Sequence, residues 1–146
     1  MPARPEIVYG AALEPAYNRG TDQVTMPHPG QFESAGEHFA ALYHELTHST
    51  GATHRLNRFA QAEGERGERY AFEELVAEIG AAFLCAATGI SHPVTEALQA
   101  SYIAGWSAAL RRDQRLVLRA ASAAQRAVDY IRGGIPVGQD QPDTTT

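Results

Sequence analysis

Five consecutive residues carry the clearest chemical signal: His44-Glu45-Leu46-Thr47-His48, an H-E-x-x-H pentapeptide. On a helix, residues four apart lie only about 40° apart around the axis and one turn along it. Two imidazoles in that relation can share one Zn²⁺ at about 2.0–2.1 Å. The intervening glutamate then projects beside the metal, where it can serve as general base toward a metal-bound water. The chemistry expected of such a set is hydrolysis, with His44 and His48 as ligands and Glu45 as base.

A catalytic zinc needs a third protein ligand and an open position for water. The segment Phe72-Glu73-Glu74-Leu75-Val76-Ala77-Glu78 supplies candidates. Glu74 and Glu78 are four apart and share one helix face, which continues as Ala81 and Cys85. Small residues there let another helix approach closely. Carboxylates on such a face are costly to bury unless paired or metal-bound. Glu74 is therefore read as the third ligand and Glu78 as a carboxylate that orients a liganding imidazole, although the two roles can be exchanged. Glu73 is a further option but points about 100° away from Glu74. A solvated acidic start to the helix, favoured by its dipole, is the reading for Glu68 that needs no metal, and it extends to Glu73.

A competing pattern uses His54. Gly51 and His54 complete H-E-x-x-H-x-x-G-x-x-H, the metzincin spacing, which would make His54 the third ligand. That pattern also requires a methionine turn further on, and the two methionines, Met1 and Met26, both precede the motif. An oxyanion-stabilising donor is expected as well; Tyr70, Tyr102 and His92 are the candidates. His28, His38 and His92 otherwise read as polar surface or capping residues. Cys85, flanked by apolar residues, reads as a small buried hydrophobe.

The elements that must position these groups are legible from caps and periodicity. Ile7-Val8-Tyr9, Ala16-Tyr17-Asn18 and Gln23-Val24-Thr25-Met26 read as short strands punctuated by Gly and Pro. Ser34 with Glu37 forms a capping box. It opens a helix over about 35–50 with Phe39, Leu42 and Leu46 on its core stripe and Gly51 as its stop. A polar loop, 52–67, follows. A second helix spans about 68–88, with Phe72, Leu75, Val76, Ile79 and Phe83 as its stripe. A third runs from Pro93 to about Arg112, and a fourth from the N-cap Asp113 to just before Gly133. The expected fold class is α+β: a small N-terminal antiparallel sheet packed on about four helices, with the metal between the first two. Residues 1–137 read as one domain and 138–146 as a polar, disordered tail.

Composition narrows the function classes. The chain has 146 residues, 44% of them hydrophobic, enough for one core. Its formal net charge of −5 argues against nucleic acid as a partner of this chain alone. The twelve basic residues are all arginine, and Arg112, Arg115, Arg119 and Arg126 recur at helical spacing as a solvated face or an anionic-partner surface. With many alanines, the missing lysine suggests a GC-rich bacterial or phage source. One cysteine excludes an internal disulfide. The start has no apolar h-region and no apolar run is long enough to span a bilayer, so a cytoplasmic setting and no membrane partner are expected.

In combination the motifs resemble the zincin-like metallopeptidase domain of ArdC-type antirestriction proteins, also found in phage and plasmid polyvalent proteins. The resemblance runs from about Pro5 to Ile131. It rests on Asp22-Gln23-Val24-Thr25-Met26-Pro27, Tyr43 through Gly51, Arg55-Leu56-Asn57-Arg58, Tyr70 through Cys85, Tyr102 through Trp106 and Ala124 through Ile131. It implies a metalloprotease-like fold with one zinc per chain, His44 and His48 as ligands, Glu45 as base and a glutamate ligand from the Glu74–Glu78 helix. The implied function is hydrolysis of a peptide or protein substrate, linked to antirestriction or mobile-element biology. The alternative is a catalytically silent, zinc-stabilised protein-interaction module. Two departures stand out. Family members often carry tryptophan after the second histidine, where this chain has Ser49, so a changed substrate contact is expected. Full-length members also carry an N-terminal domain that binds single-stranded DNA, and this sequence is expected to begin at the peptidase domain.

Overall fold

The structure is a computed structural model that describes residues 1–62, 64–90 and 113–134. Three strands, β1 (Glu6–Tyr9), β2 (Ala16–Asn18) and β3 (Gln23–Met26), precede a 3₁₀ turn at Pro29–Gln31. Among the described residues three helices follow: α1 (Ala35–Ser49), α2 (Arg66–Thr88) and α3 (Gln114–Ile131). The fold class is α+β, as the sequence indicates.

The sheet is mixed rather than wholly antiparallel. Its order is β1-β3-β2, with β1 parallel and β2 antiparallel to β3. The physical reason is the link between β1 and β2. It carries the chain past the slot beside β1, so β2 lies one position out and runs back. A tight turn then inserts β3 between them. Asn18 Oδ1 closes that turn, accepting from Gly20 N at 2.8 Å and Thr21 N at 3.2 Å. β3 takes the centre because its Val24 and Met26 are fully buried, against Leu42 and Leu46 of α1. Period two on the strand meets the i, i+4 face of the helix.

Helix α1 begins where expected. Ser34 Oγ accepts from Glu37 N at 3.1 Å, but the Glu37 carboxylate bonds Glu33 N rather than Ser34 N, so only half of the capping box forms. Phe39, expected on the core stripe, is 37% exposed and lies at the edge of the core. His38 is buried instead, between the rings of Tyr9, Phe32 and Phe39, which corrects its reading as surface.

Helix α2 starts two residues earlier than its periodicity indicates. Glu65 and Glu68 form a reciprocal capping box there, and Gly89, at φ 68°, ends the helix in the left-handed region. It contacts both α1 and α3. Val76 and Ile79 pack on Ala120, Ala123 and Ala124 of α3, while Phe83 of the expected stripe faces solvent. Toward α1, Gly80 admits Thr47 so closely that a Cβ on Gly80 would lie 2.6 Å from Thr47 Cγ2. The close approach expected at Ala81 and Cys85 is made at Gly80, about 100° around the helix from Ala81. Helix α3 is capped by Asp113, whose carboxylate accepts from Arg115 N and Leu116 N.

The segment between α1 and α2 is not a loose polar loop. Leu56 N bonds Thr50 O and Phe59 N bonds Gly51 O. Arg55, 1% exposed, donates to Ala3 O, Ser49 O and both oxygens of Asp22. Tyr17 donates to the same Asp22 at 2.8 Å. Sheet, α1 and the following segment are fastened together at this point. The expected helix over 93–112, with Tyr102 and Arg112, lies outside the described residues, as do His92 and the tail.

Candidate metal centre

Helical spacing brings His44 and His48 to one side of α1, and their Nε2 atoms lie 3.0 Å apart. The carboxylate of Glu74, from α2, meets them at 3.6 Å from His44 Nε2 and 3.5 Å from His48 Nε2. One ligand atom from each of the three residues falls within 4.8 Å of the others. A tetrahedral site with bonds of about 2.0–2.1 Å has edges of about 3.3 Å; the Nε2–Nε2 separation of 3.0 Å, and the 3.6 Å from His44 Nε2 to Glu74 Oε2 and 3.5 Å from His48 Nε2 to Glu74 Oε1, are each close to that size. The donor set, two imidazoles and a carboxylate, suits a borderline divalent cation.

Electrostatics favour the ligand form. Burial, and next the neighbouring His48, push the His44 imidazole below its ordinary pKa, which keeps it neutral. Glu45 is buried in the same turn and lines the same groove as His44 and His48. That groove, about 1800 Å³, has β2 and β3 on one wall and α2 and α3 on the other.

The remaining candidates fall where the fold puts them. Glu78 lies 3.8 Å from His44 Nδ1, beyond direct hydrogen-bond range. His54 is 54% exposed and pairs with Asp22 at 3.3 Å, away from the cluster, so the extended three-histidine pattern is not assembled. Tyr70, one turn before Glu74 on α2, is exposed and lines the groove. The charge of Glu74 is the main cause that raises its phenol pKa, with Glu45 adding to it. Tyr102 and His92 lie outside the described residues. Ser49 is fully buried and donates to Leu46 O at 2.7 Å, so it offers no substrate contact. Cys85 is buried, and burial raises its thiol pKa.

Glu73 is 5% exposed, not a solvated helix start. Its Oε1 lies 3.1 Å from His48 Nδ1. Arg58 donates to both of its oxygens at 2.7 Å. Burial, the largest influence, pushes this carboxyl up, but the bonds from Arg58 and His48 outweigh it and hold the pKa low. Its sequence signal was the pairing of Glu73 with Glu74 at a helix start. The partner, Arg58, lies in a separate segment.

A family model for zincin-like metallopeptidases matches residues 5–123. The chain belongs to that family. Among solved structures, it is similar to the antirestriction protein ArdC from plasmid R388. The manganese(II)-bound form has a TM-score of 0.69 and 38% identity, over 88% of this chain and 47% of that one. The metal-free form has a TM-score of 0.69 and 39% identity, over 88% and 45%. Among curated proteins, the uncharacterized protein y4eC of Sinorhizobium fredii (strain NBRC 101917 / NGR234) is 40% identical over 116 residues, which are 79% of this chain and 37% of that protein. A DNA primase TraC of Escherichia coli is 37% identical over 126 residues, 86% of this chain and 8% of the primase. The chain therefore spans well under half the length of the curated relatives it matches. Among the described residues of this zincin-like domain, no helix is long and apolar enough to cross a membrane.

Proposed function

We propose that this chain is a zinc-dependent metallopeptidase in which His44, His48 and Glu74 hold the ion and Glu45 is the general base. The observation that carries the reading is the convergence of those three side chains, with Glu45 in the same helical turn. Zinc is the natural choice for two imidazoles and a carboxylate, and manganese(II), present in the ArdC structure, is an alternative occupant. A zinc ion held there supplies a Lewis acid that polarises a carbonyl and acidifies water.

The chain's own residues supply the rest. Glu45 lines the groove and is placed to take a proton from water and return it to the leaving amine. Glu78, near His44 Nδ1, steadies that ring through water or a small side-chain shift. Tyr70, with its raised phenol pKa, stays protonated and offers an O–H toward a developing oxyanion. The open groove admits an extended peptide or a protein segment.

The similarity to ArdC, a protein from plasmid R388, supports a role in plasmid or mobile-element biology. ArdC's own description as an antirestriction protein favours a second reading, a metal-stabilised interaction module without turnover. Hydrolysis of a peptide library by wild type and Glu45→Gln separates them. The peptidase reading expects the variant to keep its metal and lose about 10²–10⁴-fold in rate. Equal rates, or no cleavage by zinc-loaded wild type, would favour the interaction module.

A further inference from the structure

We propose that Arg58 and Glu73 form a positioning pair that fixes the tautomer and ring plane of His48, turning its Nε2 lone pair toward the metal. The inference rests on the reading that an ion is held between His44, His48 and Glu74.

The geometry leaves Glu73 little freedom. Its Oε2 accepts from Arg58 Nε and its Oε1 from Arg58 Nη2, both at 2.7 Å. That fork-to-carboxylate match is the strongest orientation such a pair can take. The same Oε1 lies 3.1 Å from His48 Nδ1. A carboxylate is acceptor-only, so this contact requires the His48 proton on Nδ1. Nε2 is then the bare nitrogen, and it faces His44 Nε2 at 3.0 Å and Glu74 at 3.5 Å.

Arg58 is itself pinned to the turn that carries His48. Its Nη2 donates to Thr47 O and its Nη1 to Thr50 Oγ1, each at 3.1 Å. One guanidinium therefore sets the end of α1 against α2. A pair serving stability alone could be replaced by packed apolar side chains at little cost and would need no imidazole within bonding distance. The other histidine is held differently, with Nδ1 3.8 Å from a Glu78 carboxylate that is 36% exposed. His48 is thus the ligand set before the metal arrives.

The test begins on the metal-free, full-length chain at a pH where imidazole is neutral. A long-range ¹H–¹⁵N spectrum of the His48 ring is expected to show the proton on Nδ1. A proton on Nε2 overturns the proposal. Zinc affinity is then measured by chelator competition for wild type, Glu73→Gln and the double variant Arg58→Met with Glu73→Leu. Each variant is expected to bind about 10–100-fold more weakly. His54→Ala, at an exposed position paired with Asp22 away from the cluster, should bind zinc as wild type does. Affinities for both Glu73 variants within threefold of wild type would refute the positioning role. A wild type that binds no metal would instead sink the metallopeptidase reading, and the tautomer spectrum would still decide the role of Glu73.

Discussion

The crossing of α1 and α2 at Gly80 offers a sharp test of how the centre is assembled. In Gly80→Ala, the new Cβ would lie 2.6 Å from Thr47 Cγ2 and 2.8 Å from Thr47 Oγ1. Non-bonded carbons settle about 3.5–4.0 Å apart, so roughly 1 Å of movement is forced. Thr47 cannot turn away. It is fully buried, its χ1 is restricted by β-branching, and its hydroxyl donates to Tyr43 O at 2.7 Å. Overpacking of this kind costs about 1–3 kcal/mol. Alanine returns up to about 1 kcal/mol through its better helix propensity. The two terms leave a net loss of about 1 kcal/mol, and at most about 3, in the metal-free protein, read by urea denaturation. Because α1 carries both histidines and α2 carries Glu74, the same movement widens the ligand triangle, and metal affinity should fall with stability. Combining Thr47→Ala with Gly80→Ala removes the colliding atoms. It should recover at least about 1 kcal/mol relative to the sum of the single changes. Full stability of Gly80→Ala, or strict additivity of the two changes, would show that no such collision sets the α1–α2 crossing.

Two further outcomes concern pH. The bonds from Arg55 hold the Asp22 carboxyl below its ordinary pKa in the folded chain, so its contribution is present above the unfolded value of about 3.9 and drains as pH falls through the folded one. Asp22→Asn should therefore start from lower stability at neutral pH and lose less than wild type between about pH 5 and pH 3; parallel losses in acid titrations of unfolding would contradict this. His38, buried among three aromatic rings, has its imidazole pKa lowered by burial and is neutral in the fold. Protonation of the unfolded chain below about pH 6.5 drains stability, so His38→Phe should flatten the fall of the denaturation midpoint between about pH 7.5 and 5.5.

Local features of this chain could be read from sequence because they are local in cause. Helical spacing within the pentapeptide dictates that His44 and His48 meet, and Gly89 and Asp113 mark helix ends by their own conformational preferences. Glu74 was reachable because it repeats at Glu78 on a face lined by small residues. Glu73 was not. Its burial follows from Arg58, whose guanidinium arrives from the segment after α1 and is held by α1 carbonyl and hydroxyl groups. Periodicity carries no record of such a non-local pair, so an acidic first turn was the reading left. The parallel pairing of β1 and β3 escaped for a similar reason, since strand direction depends on where the connection through β2 crosses, not on the strands themselves. Phe39 shows the converse error. An aromatic residue at core spacing lies near the surface, where it packs edge-on against the buried His38 ring.

The most direct test of the account is metal content by elemental analysis after zinc loading and desalting. It compares wild type with His44→Ala, His48→Ala, Glu74→Ala, Glu78→Ala and His54→Ala. About one zinc per chain is expected in wild type and in His54→Ala, a marked loss in each of the two histidine variants and in Glu74→Ala, and at most a partial loss in Glu78→Ala. Full retention by Glu74→Ala together with loss in His54→Ala or Glu78→Ala, or no zinc in wild type, would contradict it.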